Sequence, residues 1–214
     1  MPGTLGLVLL GFLLGVRHAL DPDHVVAIGA ISTGAPSVRR SVAIGALWGF
    51  GHTLTVLGVG GAIVLLRAAV SPRAALAMEF SVALMLIALG LLNLLAARRA
   101  EPAAPSAARP LVVGMVHGMA GSAAIALLVM ATIREPAVSL AYLLLFGLGT
   151  IAGMILVTAL LVHPVTMMVA RTGASRRWLT AASGAVSLVL GLLMVHWLGG
   201  TDVLLSADPA FIPR

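Results

Sequence analysis

The sequence predicts an all-α polytopic membrane protein with six transmembrane helices, arranged as two inverted three-helix repeats. Three observations lead to this fold class. Of the 214 residues, 60% are hydrophobic and 9% are charged, and the mean hydropathy is +1.12, outside the range of soluble globular domains. Apolar stretches long enough to span a bilayer recur along the chain. Short patterns from the first half also return in the second half.

Six apolar stretches approach or exceed the length of about 20 residues that crosses a bilayer as a helix. In chain order they run approximately over Leu5–Ile31, Ser41–Leu66, Leu76–Ala97, Leu111–Ile133, Val138–Val162 and Leu179–Leu198. Arginines and prolines occupy the connections, and none of the connections is long enough for a soluble domain. We therefore predict a single transmembrane domain over residues 1–214.

The basic residues predict the orientation in the membrane. All 13 are arginines, and they cluster between the apolar stretches instead of forming a basic stripe, so no nucleic-acid partner is predicted. The first, third and fifth loops carry eight arginines, whereas the second and fourth loops and the C-terminal tail carry four. Because cytoplasmic loops are enriched in basic residues, the odd loops are predicted to be cytoplasmic and both termini to lie outside.

Three short segments recur in the same order and at nearly constant spacing. Gly15–Ala19 aligns with Gly114–Gly118 at an offset of 99, Trp48–His52 with Phe146–Thr150 at 98, and Ala88–Leu92 with Val189–Leu193 at 101. They indicate two repeats, about residues 5–97 and about residues 111–198. Since each repeat crosses the membrane three times, the second must be inverted, which is typical of secondary transporters with a midplane substrate site.

Four polar residues interrupt the first predicted span. His18, Asp21, Asp23 and His24 lie within seven residues of mostly apolar sequence, and an Asp at bilayer depth costs about 2.5–3.5 kcal/mol on insertion scales. Pro22 cannot donate an amide hydrogen and disfavours helical geometry at the preceding residue, so helix 1 is predicted to be broken there. Two imidazoles beside two carboxylates indicate a cation site. Periodicity alone does not decide between the two aspartates.

Two further histidines lie near the middle of other predicted spans. His52 is in the second span, and His117 is in the fourth, where it is the repeat counterpart of His18. A lone histidine in a membrane helix is also a common hydrogen-bond partner between helices, and His117 fits both interpretations. The chain has no cysteine, so a metal site would use imidazole and carboxylate ligands, which suit divalent transition metals.

Glycines spaced four residues apart occur in four of the predicted spans. The pairs are Gly11 with Gly15, Gly45 with Gly49, Gly114 with Gly118, and Gly149 with Gly153. Small residues at this spacing let two helix backbones approach closely. We interpret them as packing seams between helices.

The pattern His18-x4-Asp23-His24 resembles the signature of the nickel/cobalt transporter (NiCoT) family, and Gly51-His52 is similar to the Gly-His motif of that family's next helix. Two later segments, 117–122 and 149–154, look more like the compact six-helix, UreH-like (urease accessory) proteins of the wider nickel permease superfamily. The resemblance implies Ni²⁺ or Co²⁺ as transported substrate, with no prosthetic group. It also implies a bacterial cytoplasmic (inner) membrane location.

The same resemblance implies which residues handle the metal. His18, Asp23, His24 and His52 fall on the family's motif positions, which favours Asp23 over Asp21. His117 and Asp21 remain less firmly assigned. The chain departs from the NiCoT pattern because it lacks an extra helix before the motif and the acidic signatures of the second half.

The predicted function is a non-enzymatic permease that moves a divalent metal ion, nickel or cobalt, through a midplane site. The sequence contains no Walker-type phosphate-binding motif, so the chain itself is not predicted to hydrolyse ATP. Two alternatives are an exporter of metal or another small solute, and a membrane accessory factor for nickel-enzyme maturation. The predicted partners are the metal ion and the lipid bilayer, and further candidates are a second copy of the chain and nickel-enzyme maturation proteins.

Overall fold

The computed structural model describes residues 4–32, 37–66, 71–99, 108–119, 132–133, 135–162, 164–165 and 176–199. Within these ranges the regular structure is entirely helical. The helices are α1 (Thr4–His18), α2 (Pro22–Ser32), α3 (Val38–Leu66), α4 (Pro72–Arg98), α5 (Ala108–His117), α6 (Pro136–Val157) and α7 (Arg176–Trp197). A π-helical turn over Thr158–Val162 continues α6.

Four helices in the described ranges are long and apolar enough to cross a membrane, namely α3, α4, α6 with the start of its π-helical extension, and α7. The bent pair α1 and α2 is a fifth candidate. The fourth predicted span, Leu111–Ile133, begins within α5, but its continuation over residues 120–131 lies outside the described residues. The chain is therefore a multi-pass helical protein, and the count of six spans stays a prediction.

Helix 1 is broken where the sequence predicts. α1 ends at His18, α2 begins at Pro22, and the two axes are bent by 57°. Pro22 occupies the first position of α2, where its missing amide hydrogen costs nothing because the first helical amides have no partner within the helix. The carbonyl oxygen of Asp21 accepts hydrogen bonds from the amides of His24 and Val25, at 3.0 and 3.1 Å, and so starts the second segment.

The helices pack in four main pairs: α1 with α6, α3 with α5, α3 with α6, and α4 with α7. In terms of the predicted spans, these are the first with the fifth, the second with the fourth, the second with the fifth, and the third with the sixth. If the first three spans are exchanged with the last three in order, the pair of the first and fifth spans becomes the pair of the fourth and second. The pair of the second and fifth spans and the pair of the third and sixth spans stay the same. The packing scheme is therefore the same when seen from either half.

All eight glycines of the predicted seams lie against a neighbouring helix, which confirms their interpretation as packing positions. A Cβ atom at Gly15 would overlap the carbonyl oxygen of Phe146, and one at Gly114 would overlap the carbonyl oxygen of Trp48. In the predicted repeat, Gly15 aligns with Gly114 and Trp48 aligns with Phe146. The two aligned glycines therefore lie against the carbonyl oxygens of aligned aromatic residues.

Polar side chains fasten the helices at a few buried points. Thr53 in α3 donates to the carbonyl oxygen of Gly147 at 3.1 Å, and Ser187 in α7 donates to that of Leu86 at 2.8 Å. Asn93 in α4 donates to the carbonyl oxygen of Ala30 at 2.7 Å and so ties the end of α2 to α4. In hydrocarbon an unpaired polar group is costly, so these bonds fix how the helices are rotated.

The outer surface is rich in large apolar side chains. Leu13, Leu54, Leu92, Leu148 and Leu193 are about half exposed or more, each from a different helix. A soluble protein rarely exposes so many large apolar side chains, whereas lipid chains cover such a surface without cost. The surface is that of a protein embedded in a bilayer.

We expect Gly114→Ala to destabilise the protein, by about 1–3 kcal/mol, because the new methyl group would collide with the backbone of Trp48 in α3. Gly58→Ala is the matched control, since a Cβ there would meet nothing within 4 Å. In the control, helix propensity alone predicts no loss of stability. Thermal unfolding of the two purified variants in detergent measures the difference. Equal melting temperatures would contradict the proposed close contact of α3 and α5.

Candidate metal centre

Four buried histidines from four helices meet at the break in the first span. His18 ends α1, His24 lies in the first turn of α2, His52 is in the middle of α3, and His117 ends α5. Their exposed fractions are 5%, 0%, 1% and 0%. Imidazoles removed from water need hydrogen-bond or ligand partners, so a cluster of four buried rings is unexpected unless it has a role.

His24 lies at the centre of the cluster. Its ring centroid is 4.4 Å from that of His18, 4.3 Å from that of His117 and 5.2 Å from that of His52. The Nε2 atoms of His18 and His52 are 3.2 Å apart. One of these two nitrogens must donate a proton to the other, or both lone pairs must face a shared cation.

The two aspartates contact different histidines. Asp21 Oδ2 accepts from His18 Nδ1 at 2.9 Å. Asp23 Oδ2 lies 2.8 Å from His117 Nε2, and Asp23 Oδ1 lies 3.3 Å from His24 Nδ1. When His18 Nδ1 carries the proton that Asp21 accepts, the lone pair on His18 Nε2 is directed at His52. Asp21 therefore orients the His18 ring. Asp23 instead contacts two rings of the cluster. Its contact with His117 joins residues that are 94 positions apart in the chain.

The described residues contain two sets of side chains whose ligand atoms all lie within 4.8 Å of one another. One set is His18, His24 and His52, and the other is Asp23, His24 and His117. Asp21 belongs to neither set. Three ring nitrogens in the cluster, His24 Nε2, His52 Nδ1 and His117 Nδ1, are buried without a hydrogen-bond partner. Imidazole nitrogens together with a carboxylate form a donor set that suits a divalent transition metal.

Two aromatic side chains enclose the cluster, and sequence reasoning did not assign them to it. The ring of Trp48 is 5.6 Å from that of His117, and the ring of Phe146 is 5.4 Å from that of His18. Both aromatic residues are 1% exposed. The predicted repeat could have pointed to these two residues, because it aligns Trp48 with Phe146 in the same way as it aligns His18 with His117. These rings exclude water and lower the dielectric constant around the histidines.

All six residues predicted from the sequence thus lie in one neighbourhood, although with different contacts. His18, Asp23, His24, His52 and His117 belong to the two sets, while Asp21 contacts His18 from outside them. His117 combines both of its predicted interpretations, because it joins two helices through Asp23 and is a member of a ligand set. That an ion binds to these residues stays a prediction.

Comparison with known proteins identifies the family. The profile of the high-affinity nickel-transport proteins (NicO) matches residues 4–101. The urease accessory protein UreH of Bacillus sp. (strain TB-90) is 32% identical over 215 aligned positions, which cover 92% of this chain and 94% of UreH. The chain belongs to the family of UreH-like proteins. The matched profile is named for a transport protein and the relative for an accessory protein, so the prediction of a non-enzymatic membrane protein is confirmed.

A second relative is similar over a short segment only. The chloroplast protein FOR GROWTH AND FERTILITY 1 of Arabidopsis thaliana is 51% identical over 43 residues, which are 20% of this chain and 12% of that protein. No solved structure matches the chain significantly. The UreH relationship therefore covers nearly the full length, whereas the plant relationship is local.

The two aspartates are expected to differ in a nickel uptake assay with the protein in liposomes. Asp23→Asn should reduce uptake to background, because it removes the only carboxylate in the two ligand sets. Asp21→Asn should leave measurable uptake, reduced by about tenfold, since an amide oxygen still accepts the hydrogen bond from His18. A larger loss for Asp21→Asn than for Asp23→Asn would contradict these assignments.

Proposed function

We propose that this UreH-like protein is a secondary transporter that carries a divalent transition metal ion, nickel in the first place, across the membrane. The ion would bind to His18, Asp23, His24, His52 and His117. The chain would act without hydrolysing ATP, because its sequence has no phosphate-binding motif of the Walker type.

One observation carries this proposal. Four histidines and a carboxylate converge in the interior of a protein whose surface is otherwise made for lipid. Ionisable groups at this depth are costly, and structural needs alone do not require them, because capping the helix at Pro22 needs one aspartate and no histidine. Three buried ring nitrogens of the cluster have no hydrogen-bond partner, so the protein alone does not satisfy these imidazoles fully.

Alternating access of two inverted repeats is the proposed mechanism. The reciprocal helix pairs support it, because the four main pairs are unchanged as a set when the two halves are exchanged. In transporters built this way the substrate site lies near the bilayer midplane, where the halves meet, and rocking of one half against the other exposes it to each side in turn. The origin of the four histidines supports this proposal, because α1, α2 and α3 belong to the predicted first repeat and α5 to the predicted second repeat.

Nickel is favoured because the family is one of nickel-transport proteins. Ligand type alone would not select it, since copper and zinc bind imidazole and carboxylate at least as tightly, and cobalt is close to nickel in preference. Competition among Ni²⁺, Co²⁺ and Zn²⁺ for uptake into vesicles of defined orientation therefore tests the proposed substrate. The direction of net metal movement in the same vesicles tests import against export.

A role in nickel-enzyme maturation is a second candidate. It is favoured by the name of the relative UreH, a urease accessory protein, because the alignment covers 94% of that protein. The two roles are compatible if the transported ion supplies such an enzyme. They are separated by reconstitution: uptake by the purified chain alone in liposomes supports transport. Strict dependence on a second protein supports the accessory role.

We expect His18→Ala and His24→Ala each to abolish nickel uptake by cells that express the variant at normal levels. Each substitution removes a member of a ligand set, and His24 is a member of both. His196→Ala is the matched control, because His196 is an exposed histidine near the end of α7, outside both sets. Accumulation of radioactive nickel, normalised to the amount of protein in the membrane, provides the measurement.

Unchanged uptake by either site variant would refute the proposed metal site. A loss that also occurs in His196→Ala would indicate a general defect and would equally count against the assignment to the cluster.

A further inference from the structure

We infer that the transported ion occupies two overlapping positions in turn, which share His24 and are related by the internal repeat. One position is formed by His18, His24 and His52, and the other by Asp23, His24 and His117. This inference rests on the proposed transport function and adds to it a path for the ion within the cluster.

The two sets are built alike around the shared ring. His18 and His117, which are repeat counterparts, lie at nearly equal centroid distances from His24, 4.4 and 4.3 Å. Behind them, Phe146 lies 5.4 Å from His18, and its counterpart Trp48 lies 5.6 Å from His117. His24 is therefore close to the pseudo-two-fold axis that would exchange the halves, and each side offers a similar half-site.

The chemistry of His24 makes the two positions mutually exclusive. A neutral imidazole has one nitrogen lone pair available, so one ring cannot ligate two ions unless it also loses its N–H proton and becomes an imidazolate. Two divalent cations at neighbouring positions would also repel each other strongly in a buried site. His24 Nε2 has no hydrogen-bond partner, whereas its Nδ1 lies 3.3 Å from Asp23, so its two nitrogens already face different surroundings.

The third ligand distinguishes the positions. It is the neutral ring of His52 in one set and the carboxylate of Asp23 in the other. The repeat counterpart of His52 is Thr150, which is fully buried and donates to the carbonyl oxygen of Phe146 at 2.9 Å, so it is not a competing ligand. An ion that moves from one position to the other exchanges His18 and His52 for His117 and Asp23, so one imidazole nitrogen is replaced by a charged oxygen while His24 stays a ligand. In an inverted-repeat transporter, counterpart positions face opposite sides of the membrane.

The test uses the full-length protein in detergent, with His52→Gln and His117→Gln as matched variants. Glutamine keeps a polar side chain of similar size but is a poor nickel ligand. Ni²⁺ binding is measured by equilibrium dialysis, and the number of imidazole ligands by X-ray absorption at the nickel edge. Uptake is measured after reconstitution in liposomes. His196→Ala is the control, and the gel-filtration profile and melting temperature show whether each variant is folded.

With two positions, each glutamine variant still binds one nickel ion, because the other position is intact. His117→Gln should then show three imidazoles per nickel, and His52→Gln should show two imidazoles with oxygen. Both variants should lose uptake by about tenfold or more while binding is kept, since the ion has only one of its two positions. His24→Gln should bind no nickel, because it takes a ligand from both sets.

Three imidazoles in both glutamine variants, or loss of binding in both, would show one composite site and overturn the inference while leaving transport itself standing. Two nickel ions per chain in the unmodified protein would overturn it as well. Absence of nickel binding by the unmodified protein would instead refute the proposed function from which the inference starts.

Discussion

The close approach of helix backbones at glycine is the constraint on which the rest of the structure depends. The histidines of the cluster come from α1, α2, α3 and α5, and glycine contacts hold α5 close to α3 and α1 close to α6. At Gly15 and Gly114 the neighbouring carbonyl oxygen occupies the space that a Cβ atom would need. Because lipid provides no hydrophobic force between helices, this contact area is also a main source of association. Glycine thus contributes both to the association of the helices and to the short distances between them.

The buried polar cluster is tolerable because most of its atoms are paired within the protein. Asp21 and Asp23 accept from three of the four rings, and His18 and His52 face each other through their Nε2 atoms. The three ring nitrogens without a hydrogen-bond partner destabilise the empty protein, and we interpret this loss of stability as a consequence of the proposed ion site. Were every nitrogen paired internally, an incoming ion would have to break those bonds before it could bind.

The sequence predicted the local features well and the tertiary contacts poorly. Pro22 predicted the break in helix 1 because proline acts on its own backbone and its neighbour's. Hydropathy predicted the four long apolar helices among the described residues, because bilayer thickness fixes the length of a span. Periodicity could not separate Asp21 from Asp23, since the bend redirects both. The pairing of Asp23 with His117 depends on how α2 and α5 are placed, which no local pattern contains.

The cluster is graded in its access to solvent. At the break, the Asp21 side chain is 35% exposed and that of Asp23 16%, whereas no histidine of the cluster exceeds 5%. An ion on the proposed path from this side would meet a carboxylate while it still carries bound water and would reach the imidazoles after most of that water is gone. A charge is far costlier to dehydrate in one step than by exchange of one ligand at a time. The order of exposure is therefore also an order of dehydration, in which charged oxygens replace the first waters and neutral nitrogens the last.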